Sequence, residues 1–183
     1  MQVIVVSGGT ATGKTTIARQ LSDKLGYPVL CKDDIKDKLF AESSFKPGLR
    51  HWHHFEKKAL NRFYKKFGEY IQNRQSVIVE SNFHHKDAVQ LHGIIGNSTY
   101  REIYCKAHGW AVIKRYIKRN ESGNRHKGHH DRVWYLGVIL FNTFGPITHA
   151  WNPPMMADAT MRLELDTTKF SDLNYAEIID FIK

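Results

Sequence analysis

The chain has 183 residues, 42% hydrophobic and 25% charged, an ordinary globular balance that excludes intrinsic disorder and needs no staples to hold a core. Two cysteines, Cys31 and Cys105, are too few for a disulfide framework or a four-thiolate zinc site. A balance of 27 Lys and Arg against 18 Asp and Glu gives a net charge of +9, which favours anionic partners without choosing among nucleotides, phosphorylated metabolites and nucleic acid.

Gln2–Val6 reads as a buried strand ended by Ser7-Gly8-Gly9. Lys14–Leu25 follows as a helix with Ile17, Leu21 and Leu25 on one face, stopped by Gly26. Pro28–Cys31 is a short strand, and Asp33–Phe40 a helix with an acidic first turn. Arg50–Gln72 is a long helix in which Trp52, Phe55, Ala59, Phe63, Phe67 and Ile71 recur every three or four residues, a core-packing stripe rather than a base-stacking platform. Ser76–Val79 is a strand ending at Glu80-Ser81-Asn82, Tyr100–Lys106 another, and Trp110–Arg119 a helix. Gly123–Asp131 is a polar, basic, mobile loop; Arg132–Thr143 reads as a helix, Met161–Leu165 as the last strand and Tyr175–Ile182 as a closing helix. Short β-branched runs alternating with helices predict βαβ units on a parallel sheet of about five strands, hence a three-layer α/β/α domain. No repeat or linker divides the chain, so residues 1–183 are expected to form a single domain. The opening MQVIVVSGGT lacks a basic flank, and the longest apolar stretch, Val133–Ile147, contains Asn142, Gly145 and Pro146. A soluble, cytoplasmic protein without membrane contact is expected.

Gly8-Gly9-Thr10-Ala11-Thr12-Gly13-Lys14-Thr15 matches GxxxxGK[ST], the Walker A loop, between a buried strand and an amphipathic helix as that motif requires. The glycines let successive N–H groups converge on phosphate oxygens, and the helix N-terminus adds its own donors and dipole. Lys14 can reach the β- and γ-phosphates, and the Thr15 hydroxyl can ligate Mg²⁺. With Thr16 these residues form the expected nucleotide site of a P-loop NTPase fold. No Asn-Lys-x-Asp guanine-reading segment occurs, which disfavours a GTPase. After the second strand comes Lys32-Asp33-Asp34-Ile35-Lys36. A carboxylate at the end of the strand beside the P-loop lies in the crevice where open α/β sheets bind ligands, and there it can take the proton of an attacking hydroxyl. Asp33 or Asp34 can equally cap the following helix, and both roles can hold at once.

The combination of GxxxxGKTT, KDDIK, VESNF and a basic lid of about residues 120–131 resembles the small P-loop kinases, among them the kinase domain of polynucleotide kinases, the zeta-toxin group and chloramphenicol-phosphotransferase-like proteins. The resemblance implies a Mg-ATP-dependent kinase, with ATP and Mg²⁺ as cofactors. It makes Asp33 the general base and Lys14 a catalytic residue. Lys36 falls where polynucleotide kinases commonly carry an Arg on the acceptor; the charge is kept and the bidentate fork lost. Glu80 and Asn82 fall where relatives place a carboxylate and an amide that bind the acceptor, or through the carboxylate hold Mg²⁺. In the lid, the resemblance gives Arg119 to nucleotide contact and Arg125 to the charge of the transition state. Leu165-Asp166-Thr167-Thr168 resembles the segment that borders adenine. The acceptor is expected to be a small molecule or nucleotide; a polynucleotide 5′-hydroxyl end and a non-catalytic nucleotide switch are the alternatives. The eleven histidines, including His126, His129 and His130 in the lid, are expected on the surface rather than around a metal.

Overall fold

The computed structural model describes residues 1–42, 49–83, 85–96, 98, 100–122, 129, 137–140 and 161–183, with the side chains of residues 49–52, 85 and 86 left undescribed. The elements alternate strand and helix: β1 (Val3–Gly8), α1 (Lys14–Leu25), β2 (Val29–Cys31), α2 (Lys32–Ala41), α3 (Leu49–Gln72), β3 (Val77–Glu80), α4 (His85–Ile95), β4 (Tyr100–Lys106), α5 (Gly109–Glu121), β5 (Arg162–Asp166) and α6 (Tyr175–Ile182). Every strand pairing among the described residues is parallel, in the order β2-β3-β1-β4-β5. β1 is therefore central, and its continuous Val3-Ile4-Val5-Val6 run is the signature of a strand covered on both faces.

The pleat sends alternate residues of that run into two cores. Val3 and Val5 join Val77 and Val79 under α2, α3 and α4, where Phe55, Ala59, Phe63 and Phe67 are buried as the stripe on α3 predicts. Ile4 and Val6 join Ile78 and Ile103 under Ile17, Ala18 and Leu21 of α1 and Ile178 and Ile182 of α6. Gly26 ends α1 in the left-handed conformation at φ +70°, its N–H donating to Ser22 O at 2.8 Å. Asn174 caps α6 by accepting from the N–H groups of Ala176 and Glu177.

The expected three-layer parallel architecture is the one found, with three kinds of difference. β1, β3 and β5 each run on to Gly8, Glu80 and Asp166, because ladder pairing, unlike hydrophobicity, carries polar residues: Ser7 pairs with Tyr104, Val6 with Glu80 and Lys106 with Asp166. Helix α4 has no counterpart in the sequence reading; it buries Leu91 and Ile95, packs Ala88 and Ile94 against the same core, and is interrupted by Gly93. The strand that leads to Asp33, expected beside the P-loop strand, is separated from it, because β3 lies between β2 and β1. Of the expected helix at 132–143 only residues 137–140 are described, and they are helical, as expected. No described helix is long and apolar enough to cross a membrane.

Candidate active site

The carboxyl ends of β1, β2 and β3 and the N-terminus of α1 converge on one crevice. Between β1 and α1 the chain turns through three residues of positive φ: Gly8 at +130°, Ala11 at +58° and Gly13 at +90°. Gly8 has no alternative, since a Cβ there would overlap the carbonyl oxygen of Cys105 in the next strand. A Cβ on Gly13 would stand 2.5 Å from the Phe170 ring. The loop is tied to itself, with Thr12 Oγ1 and Lys14 Nζ donating to Gly9 O at 2.8 and 2.7 Å. It is also tied to the chain after β5, where the buried Thr167 hydroxyl donates to the carbonyls of Thr12 and Lys106. Arg115 on α5 closes that corner. It donates to the Thr167 and Thr168 carbonyls and lies over the Phe170 ring at 4.5 Å.

Lys14 is buried. Burial lowers its pKa, and nearby Arg119 pushes the same way, while Glu80 and Asp33 pull upward. Three of the expected residues, Glu80, Asp33 and Arg119, thus act on the charge of one ammonium group. Glu80 is itself buried, and its Oε2 accepts from Thr15 Oγ1 at 3.1 Å and from Cys31 Sγ at 2.9 Å. A hydroxyl and a carboxylate oxygen so close to the phosphate-binding loop are the hard donors that Mg²⁺ prefers, so the residues present fit that ion. Asn82 Nδ2 donates to Thr10 Oγ1 at 3.1 Å, linking the end of β3 to the loop. Thr16 is exposed.

Helix α2 begins directly after β2, with Cys31 in the N-cap position and no side-chain cap bond. Neither Asp33 nor Asp34 is the capping residue. Asp33 is half-buried and close enough to Lys14 and Lys32 to raise both pKa values. Asp34 is exposed and faces Arg19 of α1 at 3.7 Å. Lys36 is buried, paired with Glu56 of α3, which also receives Lys32 Nζ at 2.7 Å. Burial opposes the charges of Lys32 and Glu56, but their mutual attraction outweighs it, holding Lys32 above and Glu56 below the usual ranges. Arg119 lies over the Tyr116 ring at 4.9 Å.

One expectation is corrected. His129 is not a surface histidine: its ring is buried, pairs with Asp37 Oδ1 at 2.7 Å and meets the Phe40 ring edge-on at 5.5 Å. An aromatic face and a carboxylate from α2 offset the cost of burying the imidazole, and a partner 92 positions away leaves no local pattern in the chain. Arg125, His126 and His130 lie outside the described residues. Cys31, Glu56 and Phe170 belong to the site and were not singled out from sequence. Only the Cys31–Glu80 register across β2 and β3 could have drawn attention to the first of them.

A parallel sheet with a phosphate-binding loop after its central strand, a Thr–Glu pair beside that loop and an Asp in the first turn of the helix after β2, one strand removed from β1, defines a small P-loop kinase-like protein. The family model described as an AAA domain, AAA_33, matches residues 3–135, and the chain belongs to that family. No curated protein matches. Among solved structures, a candidate kinase from Chloroflexus aurantiacus J-10-fl is 26% identical, covers 99% of this chain and 96% of its own, and superposes with a TM-score of 0.82. A sugar kinase from Janibacter sp. HTCC2649 is 14% identical over 98% of this chain and 91% of its own, with a TM-score of 0.56. A chain of the Pnkp1/Rnl/Hen1 RNA repair complex is 15% identical over 78% of this chain and 45% of its own, at 0.55. The last two share the fold.

Proposed function

We propose that the protein is a Mg-ATP-dependent phosphotransferase that moves the γ-phosphoryl group to a small-molecule or nucleotide acceptor. The observation that carries this reading is the meeting of Thr15 Oγ1 and Glu80 Oε2 at 3.1 Å beside a buried Lys14 whose charge senses Asp33 and Arg119. In this reading the loop amides and Lys14 hold the β- and γ-phosphates, and Arg119 contacts the nucleotide. Asp33 accepts the proton of the attacking hydroxyl. Thr15 and Glu80 would hold Mg²⁺, which when bound supplies neutralising charge to the phosphate oxygens. That choice moves Glu80 from the acceptor to the metal. Asn82 braces Thr10, and Lys36 reaches an acceptor only by sharing Glu56. Arg125 stands as the transition-state arginine on the resemblance alone.

Two observations favour a polynucleotide 5′-hydroxyl kinase as the second reading: the net charge of +9 and the shared fold with a chain of an RNA repair complex. Against it, Lys32 and Lys36 spend their charge on Glu56. A γ-phosphate transfer screen over nucleosides, nucleotides, sugars, antibiotics and 5′-hydroxyl oligonucleotides decides. Product on one acceptor class supports the kinase, and nucleotide binding without acceptor-stimulated ATP consumption would leave the nucleotide switch.

A further inference from the structure

Cys31 is an unusual neighbour for a metal-side carboxylate. It ends β2 in register with Glu80 at the end of β3, so the two side chains emerge from one face of the sheet, side by side. Cys31 Sγ lies 2.9 Å from Glu80 Oε2, the same oxygen that Thr15 Oγ1 reaches from α1 at 3.1 Å. Glu80 is thus held between a hydroxyl from the P-loop helix and a thiol from the strand on its other side.

We propose that Cys31 is a positioning residue for metal–nucleotide binding, its S–H fixing the Glu80 carboxylate in the rotamer that presents an oxygen beside Thr15. The inference rests on the reading of Thr15 and Glu80 as the Mg²⁺ side of the site. At 2.9 Å the contact is one that a thiol makes by donating its S–H to a carboxylate oxygen. A donor suits the position, because an apolar group there would leave the carboxylate free to turn. Groups that orient metal-binding carboxylates typically influence metal affinity or activity by about 10–100-fold.

The test is Mn²⁺ binding to the protein–ATP complex, followed by electron paramagnetic resonance, beside the Mg²⁺ dependence of phosphoryl transfer. Cys31→Ala should weaken Mn²⁺ binding about tenfold and raise the Mg²⁺ concentration for half-maximal rate by a similar factor. Metal-free ATP binding should stay unchanged. Cys31→Ser, which restores a donor, should recover most of the loss. If Cys31→Ala does not fold, Cys31→Thr and Cys31→Val form a second pair, alike in shape and differing in the donor, and only Val should lose metal affinity. Equal metal binding in Ala and Ser, or in Thr and Val, would overturn the proposal. Glu80→Gln separates the two levels. If it weakens Mn²⁺ binding while Cys31→Ala does not, the Cys31 role falls and the metal site stands. If Glu80→Gln itself leaves Mn²⁺ binding unchanged, the reading of the metal site fails with it.

Discussion

At the scale of single residues, Lys14 sets function against stability. Burial holds its pKa below the ordinary 10.5 despite the bond to Gly9 O. Between the lowered value and 10.5 the unfolded chain binds more protons than the folded one, so stability rises with pH across that window. Below it the full cost of the buried charge is present. Lys14→Met keeps the apolar stem and removes the charge. It is expected to melt above the wild type at pH 7, with the gap narrowing towards pH 10.5, while transfer is lost; paired melting curves at pH 7 and 10 check this. Asp33 carries the second prediction. It lies in the first turn of α2 without capping it, so Asp33→Asn should cost about 0.3–1 kcal/mol through the helix dipole. The transfer rate should fall by roughly 10²–10⁴ at nearly constant ATP affinity. Transfer at the wild-type rate would remove the general-base role, and a calorimetric ATP titration beside the rate assay tells the two effects apart.

At the scale of elements, the P-loop glycines differ in what opposes a side chain. Gly8→Ala would force a Cβ onto the Cys105 backbone, whereas Gly13→Ala would meet the Phe170 ring, which can swing aside. Strained backbone costs on the order of 1–3 kcal/mol, and each kcal/mol shifts melting by about 2–4 °C in a chain of this size. Gly8→Ala should therefore melt lower than Gly13→Ala, and Phe170→Ala should recover part of the loss only in the Gly13 variant; differential scanning calorimetry reads both. The loop itself was legible in the chain because its geometry is local: eight consecutive residues dictate the turn, and the helix start at Lys14 and stop at Gly26 follow from backbone rules. Helix α4 was not legible, because Gly93 breaks its short stripe of Ala88, Leu91, Ile94 and Ile95. The strand ends were misread where polar residues pair. The Cys31–Glu80, Thr167–Thr12 and His129–Asp37 contacts span 49, 155 and 92 positions. Nothing short of the folded sheet brings them together, so the site's supports stayed hidden while its loop did not.

At the scale of the whole molecule, the net charge of +9 bears on the choice of acceptor. A polymeric anion releases condensed counterions on binding and a small acceptor does not. Once an acceptor is found, its affinity between 50 and 200 mM salt should change little if it is a small molecule. A steep log–log decline, read by fluorescence anisotropy, would favour the polynucleotide reading. The central position of β1 has a consequence of a different kind, in the time the chain takes to be made. Among the described residues Val3–Gly8 pairs with Val77–Glu80 and Tyr100–Cys105, so the strand that feeds the phosphate loop waits for these neighbours until some 70 residues later have been synthesised. At roughly 5–20 residues per second that is about 4–14 s. Throughout that interval Val3-Ile4-Val5-Val6, an uncharged β-branched run, offers two bare backbone edges. The nascent chain is most exposed to wrong pairing at the segment on which its chemistry depends, and the emergence of β3 is the moment at which that exposure begins to close.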